Sequence, residues 1–501
     1  MNKVITSVRI LTTTHNALDG IMLDMSPSIV VTAAVGLLML LGLLTFRSAS
    51  SDNNLPGVPQ FKGLPILGAM PMYFKHGMPQ LLSKLIAIGD DGISYVNIVN
   101  NILVSLHGPA MVREVLAYPE QVASREGDPG RMSWSPFYTL RRLIGHSLFN
   151  EVGPEISNHR NVFIREFNTT KSNSEKFDST AKIATAHANA MTGEVPTDEV
   201  DIRSSADNFA IALWGETLYA NPNYYLGGRV LSLSEVIITL VGNPWPSVCS
   251  EAKVRAKVAD VIEKTIGNLV EYEQENPSAS LKTIRNLSVM TGGGLTGLLS
   301  KFAFELANFN LFGGHHSIGS NITWAFVELD KHPRCLAKLM AEISSVDTTD
   351  FTNVNSNMPY LDAIFMEINR LYPTVHATVR VINREIKLDS SKKPVILKPG
   401  MLIYLSYLHL HTSPEFWDPD AGVFVPERLL GGYQKDQPFM PFGYGPRSCV
   451  GYKFAILAAK QYLVTLLQTH QVDVKDHDHE MRVDTLLETT KPVAVKVTHR
   501  S

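Results

Sequence analysis

The pattern of hydrophobic and polar residues divides this chain into one apolar segment near the start and a long body with mainly helical periodicity. Residues 28–46 (SIVVTAAVGLLMLLGLLTF) contain no charged side chain. A stretch of about 19 apolar residues can cross a hydrocarbon core as a helix. A cleaved signal peptide would have a shorter apolar region and a small-residue cleavage site, whereas Arg47 follows here at once. The pattern therefore predicts a retained transmembrane anchor.

The charges around the anchor favour a cytosolic location for the main body. Arg47, Lys62 and Lys75 follow the segment, and positive residues concentrate on the cytosolic side of a membrane span. Lys3 and Arg9 precede the segment and oppose this orientation. The balance predicts a single-pass protein with a cytosolic catalytic body.

The segments on either side of the anchor have different characters. Residues 1–27 are mixed and aperiodic, and we interpret them as an N-terminal tail within which translation can also begin, at Met25. Residues 47–68 contain three prolines, which fix φ and favour a stiff, non-helical linker. The expected organisation is therefore a tail, the anchor at 28–46, this linker and a catalytic domain over 69–501.

Helical periodicity dominates the body, and β-type residues occur in short runs. The residues at 93–106 are of β type with a turn expected at Asn100-Asn101, which predicts a hairpin. The proline-rich stretch at 411–430 is expected to be irregular. Residues 299–329 are apolar on all sides, as in a helix that is buried along its length. Helices are predicted at 74–88, 137–149, 299–329 and 360–371.

Composition narrows the class of protein. The chain has 501 residues with 45% hydrophobic content, so it can bury a large core, and its net charge of −3 gives no reason to expect a nucleic-acid partner. The three cysteines, Cys249, Cys335 and Cys449, are few and widely spaced. This spacing excludes CxxC zinc sites and fits a reducing compartment.

Cys449 is the candidate for chemistry, because it lies in a glycine-rich loop directly before an apolar helix. The helix N-terminus and Arg447 would stabilise a thiolate there. Phe442 can shield one side of the sulfur, and Gly451 permits backbone amides to approach it. Three interpretations stay open on these residues alone: a structural thiol, a nucleophile, and a thiolate ligand of haem iron.

A resemblance favours the third interpretation. The run Phe442-Gly-Tyr-Gly-Pro-Arg-Ser-Cys-Val-Gly451 resembles the haem-binding signature FxxGxRxCxG of the cytochrome P-450 family at every fixed position. Glu367-Ile-Asn-Arg370 resembles the family's ExxR, and residues 426–430 (PERLL) resemble its PERF segment. The proline-rich linker and the anchor are similar to those of eukaryotic microsomal members.

The resemblance implies a mainly α fold with a small β-rich region, around haem b. Cys449 would be the axial thiolate on iron, with Phe442 and Gly451 beside it. Arg447 would pair with a haem propionate, and Arg380 falls where the family often has a second propionate partner. Glu367, Arg370 and Arg428 would form a buried structural network behind the haem.

Two positions depart from the family pattern. The WxxxR helix is represented by Tyr138 and Arg142, where the tyrosine hydroxyl can still donate a hydrogen bond to a propionate. The acid–alcohol pair of the central helix, which delivers protons during oxygen activation, is replaced by His316 and Ser317. Imidazole can relay protons near neutral pH, so we assign these two residues the catalytic role.

The glycines beside this pair have two interpretations. Gly313 and Gly314 weaken a helix by roughly 1 kcal/mol each relative to alanine. The weakness can mark a local distortion at a functional site. It can also reflect close helix packing that requires small residues.

The implied function is haem-thiolate monooxygenation of a lipophilic small molecule, in a biosynthetic or secondary-metabolic role. Electrons would come from NADPH–cytochrome P-450 reductase at the endoplasmic reticulum membrane. Some family members rearrange peroxides or dehydrate substrates without external electrons and lack the acid–alcohol pair. An isomerase or dehydratase is therefore the alternative.

Overall fold

The computed structural model describes residues 54–64, 68–98, 101–125, 148, 156–192, 199–219, 301–476, 478–483 and 486–500. The predicted tail, the anchor at 28–46 and the pair Tyr138 and Arg142 lie outside these ranges. Within them, no helix combines the length and the apolar character that a membrane span needs.

Twelve α-helices occur in the described part of the chain. Most of them are short amphipathic helices whose apolar side faces the core. They are α1 (Met70–Ile88), α2 (Pro109–Ala117), α3 (Ile156–Phe167), α4 (Thr170–Ala190), α5 (Ile202–Tyr219), α6 (Lys301–Lys331), α7 (Pro333–Ser345), α8 (Phe351–Ser356), α9 (Pro359–Leu371), α10 (Tyr407–Thr412), α11 (Pro414–Trp417) and α12 (Tyr452–Thr469).

The strands in the described ranges form one larger sheet and three small ones. The larger sheet has the order β1-β2-β3-β9-β6-β4, and the small sheets are β10-β13-β5, β11-β12 and β7-β8. The strands are β1 (Gln60–Phe61), β2 (Ile93–Ile98), β3 (Asn101–Leu106), β4 (Ala123–Ser124), β5 (Val200–Asp201), β6 (Ala377–Ile382), β7 (Ile386–Leu388), β8 (Val395–Leu397), β9 (Leu402–Ser406), β10 (His470–Val474), β11 (Met481–Val483), β12 (Leu487–Thr489) and β13 (Ala494–His499).

The predicted hairpin at 93–106 is confirmed, because β2 and β3 pair antiparallel with Ile98 opposite Asn101. The predicted helices at 299–329 and 360–371 are also confirmed, as α6 and α9. The proline-rich stretch at 411–430 was expected to be irregular, and this expectation is wrong in part. It contains α11, whose first turn is capped by the Ser413 side chain, and a 3₁₀ helix at Pro426–Leu429. Proline is favoured at the first position of a helix, where its missing N–H has no partner to lose.

Helix α6 runs through the centre of the main core. It packs against α5, α9 and α12, and its second half is buried on nearly every side. The helix continues without interruption through Gly313 and Gly314. A Cβ at Gly314 would lie 2.2 Å from Nε1 of Trp214 on α5. Gly314 is therefore required for close packing between these two helices.

Candidate active site

The loop that carries Cys449 is built by its own backbone and by the helices around it. The Cys449 amide donates to the Phe442 carbonyl at 2.8 Å, which closes the loop. A 3₁₀ helix at Gly445–Arg447 follows the turn, and α12 begins at Tyr452. Gly445 has a φ of +71°, and a Cβ there would lie 2.3 Å from the Leu116 carbonyl oxygen. Glycine is therefore needed at this position for both conformation and space.

Cys449 is accessible although protein surrounds it. Its side chain is exposed, yet dense surroundings raise the pKa of its thiol by desolvation. The amide of Gly451 donates to the sulfur and, together with the charges of Arg160 and Arg125, opposes this rise in the pKa. The sulfur can therefore be reached by a ligand, while the protein around it is densely packed.

Four arginines gather around this loop from separate parts of the chain. Arg447 lies in the loop, Arg160 on α3, Arg380 on β6, and Arg125 directly after β4. The Arg160 guanidinium donates to the Ser448 carbonyl at 2.5 Å, and the Arg125 guanidinium donates to the Arg447 carbonyl at 3.2 Å. The structure thus surrounds the cysteine loop with positive charge.

The arginines affect one another. Desolvation, then repulsion from Arg447 and Arg380, holds the pKa of Arg125 well below its usual value. Desolvation and repulsion from Arg447 lower the pKa of Arg160 to about 10. The carboxylate among them is that of Glu120, whose Oε1 lies 2.9 Å from Nε of Arg447. Several buried cations facing one carboxylate favour a ligand that carries further negative charge.

Haem meets this requirement. Its two propionates supply carboxylates for the arginines, and its iron accepts a thiolate from the accessible sulfur. The donor set in the described residues therefore fits a haem group.

The residues Glu367, Arg370 and Arg428 also come together. Arg370 donates to both carboxylate oxygens of Glu367 at 2.7 Å, and Nε of Arg428 donates to Oε1 of Glu367 at 3.1 Å. Arg370 further donates to the carbonyls of His411 and Ala421 at 2.7 and 2.6 Å. Both members of the Glu367–Arg370 pair are fully buried, and the chain provides the additional hydrogen bonds that such a pair needs.

His316 and Ser317 face different surroundings on α6. Ser317 is half-buried, on the same side of the helix as the exposed Gly313, to whose carbonyl its hydroxyl donates at 3.0 Å. His316 is buried, and its ring contacts Arg203 of α5 and Glu488 of β12. The structure therefore does not bring the imidazole to the accessible side of the helix.

Sequence reasoning missed Arg160, Arg125 and Glu488. Arg160 lies on α3 and has isoleucine, not tryptophan, four residues before it, so the WxxxR motif does not identify it. Arg125 and Glu488 belong to no recognisable motif, and they reach their sites through tertiary contacts.

The fold and the site define a haem-thiolate enzyme. Residues 56–497 match the family model described as cytochrome P-450, so the chain belongs to the cytochrome P-450 family. The family's cofactor is haem iron bound by a cysteine thiolate, and its members are oxidoreductases that act as monooxygenases. Membership also implies a redox partner and a lipophilic substrate, and the mainly helical fold with small sheets is the family's fold.

Curated relatives agree with this assignment. The chain is 26% identical to the cytochrome P-450 CYP72A616 of Paris polyphylla over 405 residues, which is 73% of each chain. It is 31% identical to secologanin synthase 1 of Catharanthus roseus over 170 residues, which is 32% of each chain. It is 30% identical to the cytochrome P-450 3A40 of Oryzias latipes over 205 residues, which is 38% of this chain and 39% of that one.

Proposed function

We propose that this protein is a membrane-anchored monooxygenase that oxidises a lipophilic small molecule in secondary metabolism. The observation that carries the proposal is the accessible Cys449 sulfur, which accepts the Gly451 amide and lies among buried arginines. The name of secologanin synthase describes an enzyme that makes one defined product. This likeness supports a biosynthetic role.

In this proposal the Cys449 thiolate would hold the haem iron, and the Gly451 amide would tune how strongly the sulfur donates electrons. Arg125, Arg160 and Arg447 would bind the propionates. Bound haem supplies the redox chemistry by which one oxygen atom of dioxygen enters the substrate and the other leaves as water.

Other residues near the cysteine loop would complete the contacts with the haem in this proposal. Arg380 extends from β6 beside the same cluster, and Phe442, whose ring centroid lies 5.4 Å from that of Tyr452, covers one side of the loop. Glu367, Arg370 and Arg428 hold the chain segments behind the loop. Their role in the proposal is structural.

On the central helix α6, the hydroxyl of Ser317 would be the proton-holding group in the proposal. It lies on the accessible side of α6 and can bind a water molecule there. A hydroxyl is neutral and can both donate and accept hydrogen bonds. It can therefore hold a water molecule and pass a proton without adding a charge to the substrate pocket.

The supply of electrons is proposed to come from NADPH–cytochrome P-450 reductase at the endoplasmic reticulum membrane. Residues 28–46 would anchor the protein, since they are apolar and without charge. Anchoring holds the enzyme and its reductase in one plane and gives direct access to lipophilic substrates.

One observation favours a second candidate, an isomerase or dehydratase that needs no external electrons. His316 occupies the position of the family's carboxylate, and its ring is committed to Glu488 and Arg203. Without a carboxylate beside Ser317, proton delivery to dioxygen is weaker. A reaction that begins from a peroxide does not require that delivery.

The two functions differ in their need for electrons. We first compare metabolites of strains with and without the protein, which identifies the substrate. The purified holoenzyme is then assayed for oxygen uptake with that substrate, NADPH and reductase. Monooxygenation requires all three components, whereas turnover of a hydroperoxide with reductase omitted would establish the isomerase or dehydratase instead.

The ligand assignment has its own test. Cys449→Ser is expected to abolish the red-shifted Soret band of the reduced carbon monoxide complex, because that shift requires a cysteine thiolate on the iron. Cys335→Ser is the matched control, since Cys335 is buried on α7 and should leave the band unchanged. A retained band in Cys449→Ser would refute the assignment.

A further inference from the structure

His316 lies at the centre of a charged network that joins three separate elements. Its Nε2 contacts the Glu488 carboxylate of β12. An Nη atom of Arg203, at the start of α5, lies 2.8 Å from its Nδ1 and 3.0 Å from its Nε2. Arg203 in turn donates from Nε to Asp207 at 2.8 Å, and Arg482 of β11 lies 2.8 Å from Glu488.

The partners fix the orientation of the imidazole. The Glu488 carboxylate accepts the hydrogen of Nε2, and the Arg203 guanidinium lies against the same ring. Two arginines, Arg203 and Arg482, and two carboxylates, Asp207 and Glu488, therefore surround His316.

Glu488 is held as an anion. Burial raises the pKa of its carboxyl, but the hydrogen bond from His316 and the charges of His316, Arg203 and Arg482 together lower it to about 2. An anion of this kind is a permanent hydrogen-bond acceptor across the physiological range. The contact between this anion and Nε2 of His316 therefore holds the imidazole against β12.

Gly319 makes the network possible on the side of α5. A Cβ at this position of α6 would lie 1.8 Å from Oδ1 of Asp207. The missing side chain lets the Asp207 carboxylate approach the central helix, and Asp207 then orients Arg203 toward His316. A glycine is therefore needed at the point where the Asp207 carboxylate contacts α6.

The hairpin β11–β12 is wedged between the central helix and the segment before β6. The Leu487 amide donates to the Thr374 carbonyl at 2.8 Å, and the Ser320 hydroxyl of α6 lies 3.5 Å from the Leu487 carbonyl. The next residue along that segment, Val375, is 38% exposed although Thr374 and His376 on either side of it are buried. An accessible apolar residue of this kind is a candidate wall of an apolar pocket.

We propose that His316 and Glu488 form a latch that fixes the last hairpin against the central helix and thereby sets the pocket wall at Val375. His316 is then a positioning residue for substrate binding, and the proton-holding group beside it is Ser317. The inference deepens the proposed function, because it rests on that function for the identity of the pocket as the substrate site.

The latch is tested with Glu488→Gln, which keeps the shape of the side chain and removes its charge, and with His316→Ala. Hydrogen–deuterium exchange of the holoenzyme reports the order of the hairpin. We expect the amides of residues 487–489 to exchange about tenfold faster in both variants, since loss of a local anchor lowers the free energy of local opening. Arg482→Ala is the matched control, because it removes an exposed partner of the same carboxylate and should leave exchange within about twofold of wild type.

The pocket is tested with two iron-binding probes of different size. Imidazole fills little space, whereas clotrimazole carries three benzene rings beside its imidazole, and these would contact the pocket walls. We expect Glu488→Gln to weaken clotrimazole binding by about tenfold and to change imidazole binding by less than about twofold, a difference that follows from loss of wall contacts. The carbon monoxide spectrum of each variant serves as the check that haem is bound normally.

The outcomes separate the latch from the proposed function. Unchanged exchange at 487–489 in both variants would overturn the latch, whatever reaction the enzyme catalyses. Faster exchange with equal effects on the two probes would overturn the pocket assignment. Failure of NADPH-dependent turnover bears on the proposed function and leaves the exchange result as it is.

Discussion

Gly314 provides a direct test of why glycine occurs in the middle of a buried helix. The substitution Gly314→Ala adds one methyl group on the side of α6 that faces α5. That methyl carbon would lie 2.2 to 2.4 Å from three atoms of the Trp214 indole. If Gly314 instead served flexibility, alanine at this position would stabilise the helix.

The expected size of the effect follows from two opposing contributions. Alanine is favoured over glycine within a helix by about 1 kcal/mol. Overpacking a core costs roughly 1–3 kcal/mol, and here the upper end applies because Trp214 is 5% exposed and packed against Phe167 and Phe454. We therefore expect Gly314→Ala to reduce the free energy of unfolding by about 2 kcal/mol.

Urea unfolding of the holoenzyme, followed by fluorescence and by the Soret band, measures the effect. Gly422→Ala is the control, because in the described part of the chain no atom beyond the adjacent residues lies within 4 Å of a Cβ at that glycine. Alanine there should leave the free energy of unfolding unchanged or raise it by up to about 1 kcal/mol, because alanine lowers the conformational entropy of the unfolded chain. Trp214→Leu in the Gly314→Ala background should recover part of the loss, since the smaller side chain leaves room for the methyl group.

A stabilised Gly314→Ala protein would refute this explanation. It would mean that the helix at this point is not limited by Trp214. Equal effects of alanine with and without Trp214→Leu would refute it too, because the two side chains would then not interact.

The remaining predictions concern burial of charge and pH. Arg370→Ala should reduce the free energy of unfolding by about 3–5 kcal/mol, because it removes the bidentate partner of the fully buried Glu367. Arg428→Ala should cost about 1–2 kcal/mol, because Arg428 makes a single bond to that carboxylate and is partly exposed; comparable losses in urea unfolding would contradict this ranking. Burial, then the charge of His409, lowers the pKa of His107 to about 4, so the folded protein keeps this imidazole neutral while the unfolded chain takes up its proton near pH 6.5. The free energy of unfolding should therefore fall by roughly 3 kcal/mol as the pH drops from 6.5 toward 4, since protonation then favours the unfolded chain. His107→Gln should flatten that part of the pH dependence of the urea midpoint, and an unaltered dependence would exclude the assignment.

The ligand loop could be predicted from sequence because its requirements are local. Cys449, Gly451 and Arg447 lie within five residues, and glycine, arginine and cysteine each meet a separate need of a bound thiolate. The same holds for Glu367 and Arg370, which lie one turn apart on α9 and meet on one face. Short spacing on a regular element fixes geometry before any tertiary contact forms.

The arginines around the loop could be predicted only in part. Arg380 and Arg447 follow from motif positions, whereas Arg125 and Arg160 are brought to the loop by β4 and α3. Tyr138 and Arg142 stay a prediction, because they lie outside the described residues. Within the described ranges, the arginine that donates to the Ser448 carbonyl is Arg160, whose helix begins with isoleucine. No local motif identifies Arg160, because its contact with the loop depends on how α3 packs.

The sequence by itself determined the class of the protein, the ligand loop, the buried pair on α9 and the presence of a long central helix. Tertiary structure alone decided what the unusual residues of that helix do. Gly314 is required by the packing of Trp214, and His316 contacts Glu488 and Arg203. These partners lie about 100 or more residues away, some before the helix in the sequence and one after it. The physical reason is that a helix fixes the directions of its side chains, whereas the groups that meet them are set by how distant elements pack.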